Sequence, residues 1–250
     1  MRILLINPNT TEAMTRRMTH AAQSVAAAGT ELVPLTAARG VPYIATRAEA
    51  QIGGAIALEM LAEHHRSVDA AIIAAFGDPG LLGARELFDI PVVGMAEAAM
   101  LTACTLGRRF AIVTFARALG PWFEDCVEMH GLAGRCAGVR TLDSTIVSVP
   151  DVQDEKEALL VDLACRTVVE RDADVIILGG APLAGLAAKV RERIPVPLVD
   201  PIQAAVKMAE ALVAMGPRKA TAGTFRRPDA KAATGLPPAL LARISHVERD

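Results

Sequence analysis

The chain has 250 residues, 52% hydrophobic and 22% charged, enough apolar material to bury a sizeable core as one large α/β domain or two small lobes. A net charge of −2 provides no basic field for nucleic acid or an anionic membrane. Aromatic residues make up only 3%, with a single Trp122 and a single Tyr43, which leaves little for base stacking.

In chain order, Arg2-Ile3-Leu4-Leu5-Ile6-Asn7 reads as a buried first strand. Its apolar run stops at Asn7-Pro8-Asn9, short of the roughly 7–15 residues and cleavage site of a signal peptide. Further strands are expected over 31–35, 70–75, 91–94, 110–114, 138–142, 175–179 and 196–199. Between them, amphipathic helices are expected over 11–28, 47–66, 79–88, 97–106, 120–130, 154–171, 182–193 and 201–215. Short apolar runs alternating with helices are the pattern of βα units around a mostly parallel sheet, and strands apolar on both faces fit one covered by helices on each side. From Gly216 the periodicity is lost through Pro238, which predicts an extension that wraps the surface or reaches a neighbouring subunit before a short segment at 240–244. No apolar run approaches the roughly 18–20 residues of a transmembrane helix.

The chain also repeats itself. Asp69-Ala70-Ala71-Ile72-Ile73-Ala74-Ala75-Phe76-Gly77, a helix and Ile90-Pro91-Val92 match Asp174-Val175-Ile176-Ile177-Leu178-Gly179-Gly180-Ala181-Pro182, a helix and Ile194-Pro195-Val196, at an offset of about 105 residues. The run from Arg2 to Asn7 matches Arg109 to Thr114 at nearly the same offset. Tandem halves related by a pseudo-twofold follow. The expected boundaries are 1–95 plus about 200–215 for the first lobe, 96–199 for the second and 216–250 for the extension. In open α/β sheets ligands bind at the carboxyl ends of strands, so two facing halves offer matched loops to one small molecule.

The two strand-to-loop runs and the opening Asn7-Pro8-Asn9-Thr10-Thr11 resemble the aspartate/glutamate racemase superfamily, most closely its hydantoin racemase branch, over about residues 1–215. The resemblance implies two Rossmann-like α/β lobes with an active site in the cleft between them and no cofactor or metal. It also implies a catalytic cysteine in each unit, one thiolate taking a proton from an acidic carbon while the other thiol returns it. Those positions here are Ala75 and Gly180, and neither residue has a titratable group. Cys104, Cys126 and Cys165 fall in predicted helices and Cys136 in a connection, with no CxxC or metal-like spacing, so the two-thiol mechanism is excluded.

The remaining candidates lie at the strand ends. Asn7, Asn9, Thr10 and Thr11 open a helix, where amides and hydroxyls favour an anion, with Asn9 or Thr10 as N-cap. Asp78 before Pro79 reads as a cap with proline at the first helical position, or as an acid or base. The amides of Phe76 and Gly77 suit a carboxylate or enolate oxygen, and Gly179, Gly180 and Ala181 should act from the other side. Glu97, in a first helical turn, is both a dipole partner and a catalytic candidate. Thr114, matching Asn7 across the repeat, is a ligand donor. Tyr43 lies in a loop that forms a flap in the resembled enzymes, as phenol donor or general acid, with Arg47 as anion partner. His20, His64, His65 and His130 read as surface residues. Nucleotide, metalloprotease and serine-hydrolase motifs are lacking.

The expected protein is thus a cytoplasmic, homo-oligomeric, cofactor-independent enzyme acting on a small carboxylate or cyclic ureide. Its reaction would be a lyase, decarboxylase, isomerase or hydrolase step. The alternatives are a racemase with non-cysteine bases and a non-catalytic small-anion-binding protein.

Overall fold

The computed structural model describes residues 1–143 and 151–247. Two four-stranded sheets organise the chain, and all of their strand pairs are parallel. The first holds β1 (Arg2–Asn7), β2 (Glu31–Thr36), β3 (Ala70–Ile73) and β4 (Val92–Gly94) in the order β2-β1-β3-β4. The second holds β5 (Phe110–Thr114), β6 (Cys136–Thr141), β7 (Val175–Leu178) and β8 (Leu198–Val199) in the order β6-β5-β7-β8. The order repeats strand for strand, as the internal sequence repeat implies. The central strands β3, β5 and β7 are buried along their whole length, and β1 from its second residue, because helices cover both of their faces.

The helices are α1 (Glu12–Gln23), α2 (Arg47–His64), α3 (Leu81–Leu87), α4 (Met95–Leu106), α5 (Gly120–Met129), α6 (Val152–Arg171), α7 (Leu186–Val190), α8 (Pro201–Met215) and α9 (Pro238–Ser245). Helix α4 leaves the first sheet and packs on β5, β7 and β8 of the second, whereas α8 leaves the second sheet and packs on β3 and β4 of the first. These crossing helices also pack on each other, so each lobe lends one covering helix to its neighbour. Among the described residues no helix is long and apolar enough to cross a membrane.

Two predicted helices are shorter or broken, each for a local reason. Helix α1 ends at Gln23 rather than at 28, and the Glu210 carboxylate on α8 accepts hydrogen bonds from Ala27 N at 2.7 Å and Thr30 Oγ1 at 2.8 Å, holding the chain off the helical path. The stretch 182–193 holds only the five residues of α7 between two 3-10 turns. There Gly185 takes φ +85 and its amide donates to Asp200 Oδ2 at 2.6 Å. Asp200 also caps α8, accepting from Ile202 N and Gln203 N.

The extension folds back on its own first lobe. Helix α9 packs on α2. Arg243, 3% exposed, donates to Leu87 O at 2.9 Å and Asp89 Oδ2 at 2.7 Å and lies over the Phe88 ring. His65, expected at the surface, is buried against the same ring.

Candidate functional site

Parallel sheets of this order have a switch point between their first and third strands, where neighbouring loops diverge and leave a crevice. The two crevices meet. One cavity is lined by Asn9 after β1, Ala75 and Phe76 after β3, Gly180 and Ala181 after β7, Tyr43 and Ile44 from the flap, and Trp122 and Phe123 from α5. The space is tight. The centre of a water molecule has ≈ 10 Å³ in which to move, about the least that admits one water.

Three ties hold the flap, the loop 40–46, in place. Thr10 N donates to Val41 O at 3.0 Å, and Thr11 Oγ1 donates to Pro42 O at 2.6 Å. At the far end, the Arg47 guanidinium pairs with Asp125 on α5, Nη2 to Oδ1 at 2.8 Å. Arg47 therefore lies outside the cavity. Its expected role as anion partner is replaced by an ion pair joining the lobes, since Asp125 stands within reach of both Nε and Nη2. A capping box between Thr46 and Glu49 fixes the start of α2 just beyond the flap.

The loop after β1 is organised from within. Asn7, fully buried, donates from Nδ2 to Asn9 Oδ1 at 3.1 Å and Thr15 Oγ1 at 2.9 Å, and it supports the loop without reaching the cavity. Asn9 Oδ1 accepts from Thr11 N at 3.0 Å, and its Nδ2 has no acceptor among the described residues. Thr11, not Asn9 or Thr10, occupies the N-cap position of α1, and its hydroxyl is spent on the flap instead of capping.

Donors without partners lie on the cavity lining and behind it. Thr114 at the end of β5, expected as a ligand donor, is fully buried and not among the lining residues, and its Oγ1 has no hydrogen-bond partner among the described residues. That oxygen lies 3.7 Å from where a Cβ on Gly180 would stand. The amides of Ala75, Phe76, Gly77 and Gly180, in the loops that line the cavity, have no acceptor among the described residues. Gly180 has φ +117 and Gly77 φ +111, values that L side chains rarely adopt. A Cβ on Gly77 would stand 2.3 Å from the Trp122 ring, so this loop can lie against α5 only as glycine. Gly179 is close-packed against Ile112, Phe123 and Phe76 and supports the loop from behind.

Titratable groups are scarce on the cavity. Tyr43 is the one candidate acid among the lining residues. Burial and the charge of Glu49 push its phenol far above the ordinary tyrosine range, so it stays protonated.

The two acids singled out beside it lie elsewhere. Asp78, at φ +50, does not cap α3, whose N-cap is Gly80. Its carboxylate instead accepts from Ala96 N and Glu97 N at 2.8 Å each, capping α4, and from His130 Nε2 at 3.0 Å. Glu97 is held by Arg85 Nη1 at 2.8 Å and lies 3.4 Å from His130 Nδ1. His130, expected on the surface, has a side chain only 4% exposed because it fills the space between these carboxylates. Burial pushes the His130 ring down, but the hydrogen bonds with Asp78 and Glu97 outweigh it and raise its pKa to about 9. Burial likewise pushes Glu97 up, and the bonds from His130 and Arg85 win, holding it at about 2. Both acids are thus engaged in structural hydrogen bonds outside the cavity. Cys126 beside them offers no replacement base, since burial and the Asp78 and Glu97 charges push its thiol far up.

Sequence reasoning missed Ile44, Trp122 and Phe123. One signal was available: α5 follows β5 as α1 follows β1, so the start of α5 had to face the cleft.

Comparison with known proteins agrees with this architecture. Residues 3–209 match the family model described as Asp/Glu/Hydantoin racemase. A hydantoin racemase of a Pseudomonas sp. is 35% identical over 239 residues, covering 94% of this chain and 95% of that protein. The allantoin racemase structure from Klebsiella pneumoniae superposes with a TM-score of 0.89 at 36% identity, covering 96% of this chain and 98% of that one. Arylmalonate decarboxylase shares the fold at a TM-score of 0.59 and 18% identity, over 87% of this chain and 94% of that one. With the family model spanning both sheets and relatives matching along nearly their whole length, the chain belongs to the Asp/Glu/hydantoin racemase family.

Proposed function

We propose that this chain is a cofactor-independent enzyme that binds a small carboxylate or cyclic ureide between Ala75 and Gly180 and transfers a proton to one face of it. The observation that carries the reading is the unsatisfied donor set: the buried Thr114 hydroxyl and the unpaired amides of both strand-end loops. A buried polar group without a partner costs about 1–3 kcal/mol, and a ligand carbonyl or carboxylate oxygen offsets that cost. The names of the hydantoin and allantoin racemases among the relatives support the ureide class.

The direction of proton transfer follows from Tyr43. A phenol kept protonated is no base for a C–H bond but is a competent acid toward a carbanion. Chemistry that breaks a different bond first suits this site. When a carboxylate leaves as CO2, its bonding pair stays on the adjacent carbon and spreads onto a carbonyl oxygen held by loop amides. The Tyr43 O–H then protonates the carbon, and water restores the phenol. A lyase or decarboxylase step is therefore placed ahead of an isomerase or hydrolase step, and two-base racemisation last.

Titration of the full chain with cyclic ureides and 2-substituted malonates, with product analysis in heavy water, tests the reading. We expect the malonates to give product with one deuterium in a single configuration and the ureides to bind without exchange, and Tyr43→Phe to keep binding while lowering kcat by roughly a hundredfold or more. Undiminished turnover in Tyr43→Phe contradicts the assignment. A second reading, a non-catalytic binder of small anions, draws support from the engagement of Asp78 and Glu97 outside the cavity. Binding without turnover across the panel would favour it.

A further inference from the structure

The cluster outside the cavity has a composition that ion pairing alone does not require. Cys126 and His130 stand one turn apart on α5, where residues four apart share a face. Asp78 reaches them from the loop after β3. Cys126 Sγ, one ring nitrogen of His130 and an Asp78 carboxylate oxygen all lie within 4.8 Å of one another. All three side chains are buried, yet Asp78 and Cys126 also line an open groove of ≈ 560 Å³ between α2 and α5, so a small ion has a route in.

The ring is set for coordination through one nitrogen. His130 Nδ1 lies 3.4 Å from Glu97 Oε1, and Arg85 holds that carboxylate in turn. A carboxylate behind the distal nitrogen is the partner that fixes the tautomer and orientation of a metal-bound histidine. We propose that Asp78, Cys126 and His130 form a binding site for a borderline-soft divalent cation of the zinc type, with Glu97 orienting the imidazole. One thiolate, one imidazole and one carboxylate are the donors such an ion prefers, and three protein ligands leave a fourth position for water. Asp78 belongs to the first lobe and α5 to the second, so the ion pins the lobes together beside the cavity. Trp122, which lines both cavity and groove, stands next to that pin. The inference stands apart from the reaction proposed above, because none of the three ligands lines the cavity.

The test uses the metal-free full chain and zinc ion alone, with a chromophoric chelator as competitor. One ion per chain is expected, with a rise in Tm by mass action. Cys126→Ser, a near-isosteric change that keeps the His130 ion pairs, should weaken binding by about tenfold or more, and Glu97→Gln by about 10–100-fold. Cys104→Ser should leave it unchanged. Cobalt(II) on the wild-type chain needs no variant to fold, and the site predicts a thiolate-to-cobalt charge-transfer band. Absence of stoichiometric zinc binding, affinity unaffected by Cys126→Ser, or a cobalt complex without that band would each overturn the proposal.

Discussion

The cavity between Ala75 and Gly180 and the cluster of Asp78, Glu97 and His130 occupy the same lobe junction, yet their chemistry is opposite. The cavity presents methyl groups, aromatic faces and loop amides without acceptors, with a single phenol, and the unpaired Thr114 hydroxyl lies behind it. The cluster concentrates two carboxylates, an imidazole and a guanidinium, nearly all of their hydrogen-bonding capacity used. One region has unmet hydrogen-bonding demand and little charge; the other has charge and its hydrogen bonds largely made. An acid near a strand end is available for catalysis only if no helix amide or cation claims it first. Asp78 is claimed by the start of α4, and Glu97 by Arg85.

The cluster should dominate stability. His130→Ala leaves the buried Asp78 and the part-buried Glu97 carboxylates short of a partner and should cost about 3–5 kcal/mol, read by denaturant unfolding. Its pH dependence sharpens the point. The folded pKa of His130 is raised from 6.5 to about 9, so its contribution is full below pH 6.5 and is lost as pH rises through 9. Glu97 is lowered from 4.5 to about 2, so its contribution is present above pH 4.5 and is lost as pH falls through 2. His130→Gln should remove the alkaline slope. A variant that retains it would assign that slope to another group.

The cavity should behave in the reverse sense. Thr114→Val removes an unsatisfied buried hydroxyl, so the unliganded protein should hold or gain stability while affinity for a small carboxylate or ureide falls by roughly tenfold. Equal affinity in wild type and variant would place the ligand elsewhere. The smallest effect is expected at the exposed Arg47–Asp125 pair. Arg47→Ala should leave thermal stability nearly unchanged but speed ligand entry in stopped-flow binding, since one of the flap's ties is gone. Slower entry would mean that Arg47 steers the ligand rather than closing the flap.

Much of the fold was legible because its signals are local. The apolar runs at Ile3–Ile6, Ala70–Ile73 and Val175–Leu178 declare buried parallel strands, and their recurrence declares the second sheet. Of the residues singled out from sequence, Asn9, Tyr43, Ala75, Phe76, Gly180 and Ala181 line the cavity, because motif and strand end coincide there. The cluster was not legible. Asp78, Glu97 and His130 each have an adequate local explanation as cap, first-turn acid and helix-end residue. Only the crossing of α4 between sheets and the docking of α5 bring them together. The break at Gly185 was hidden for a similar reason, since Asp200, fifteen residues away, accepts its amide.

In the proposed function, the residues between the two strand-end loops bind a ligand but hold no base pair for its acidic carbon. Solvent deuterium exchange measures this directly. A 5-substituted hydantoin of one configuration, incubated with the protein in heavy water and followed by NMR and chiral separation, should bind without catalysed exchange or inversion at the ring carbon. Rapid exchange accompanied by inversion would contradict the account and require two bases that reach the cavity when the flap opens.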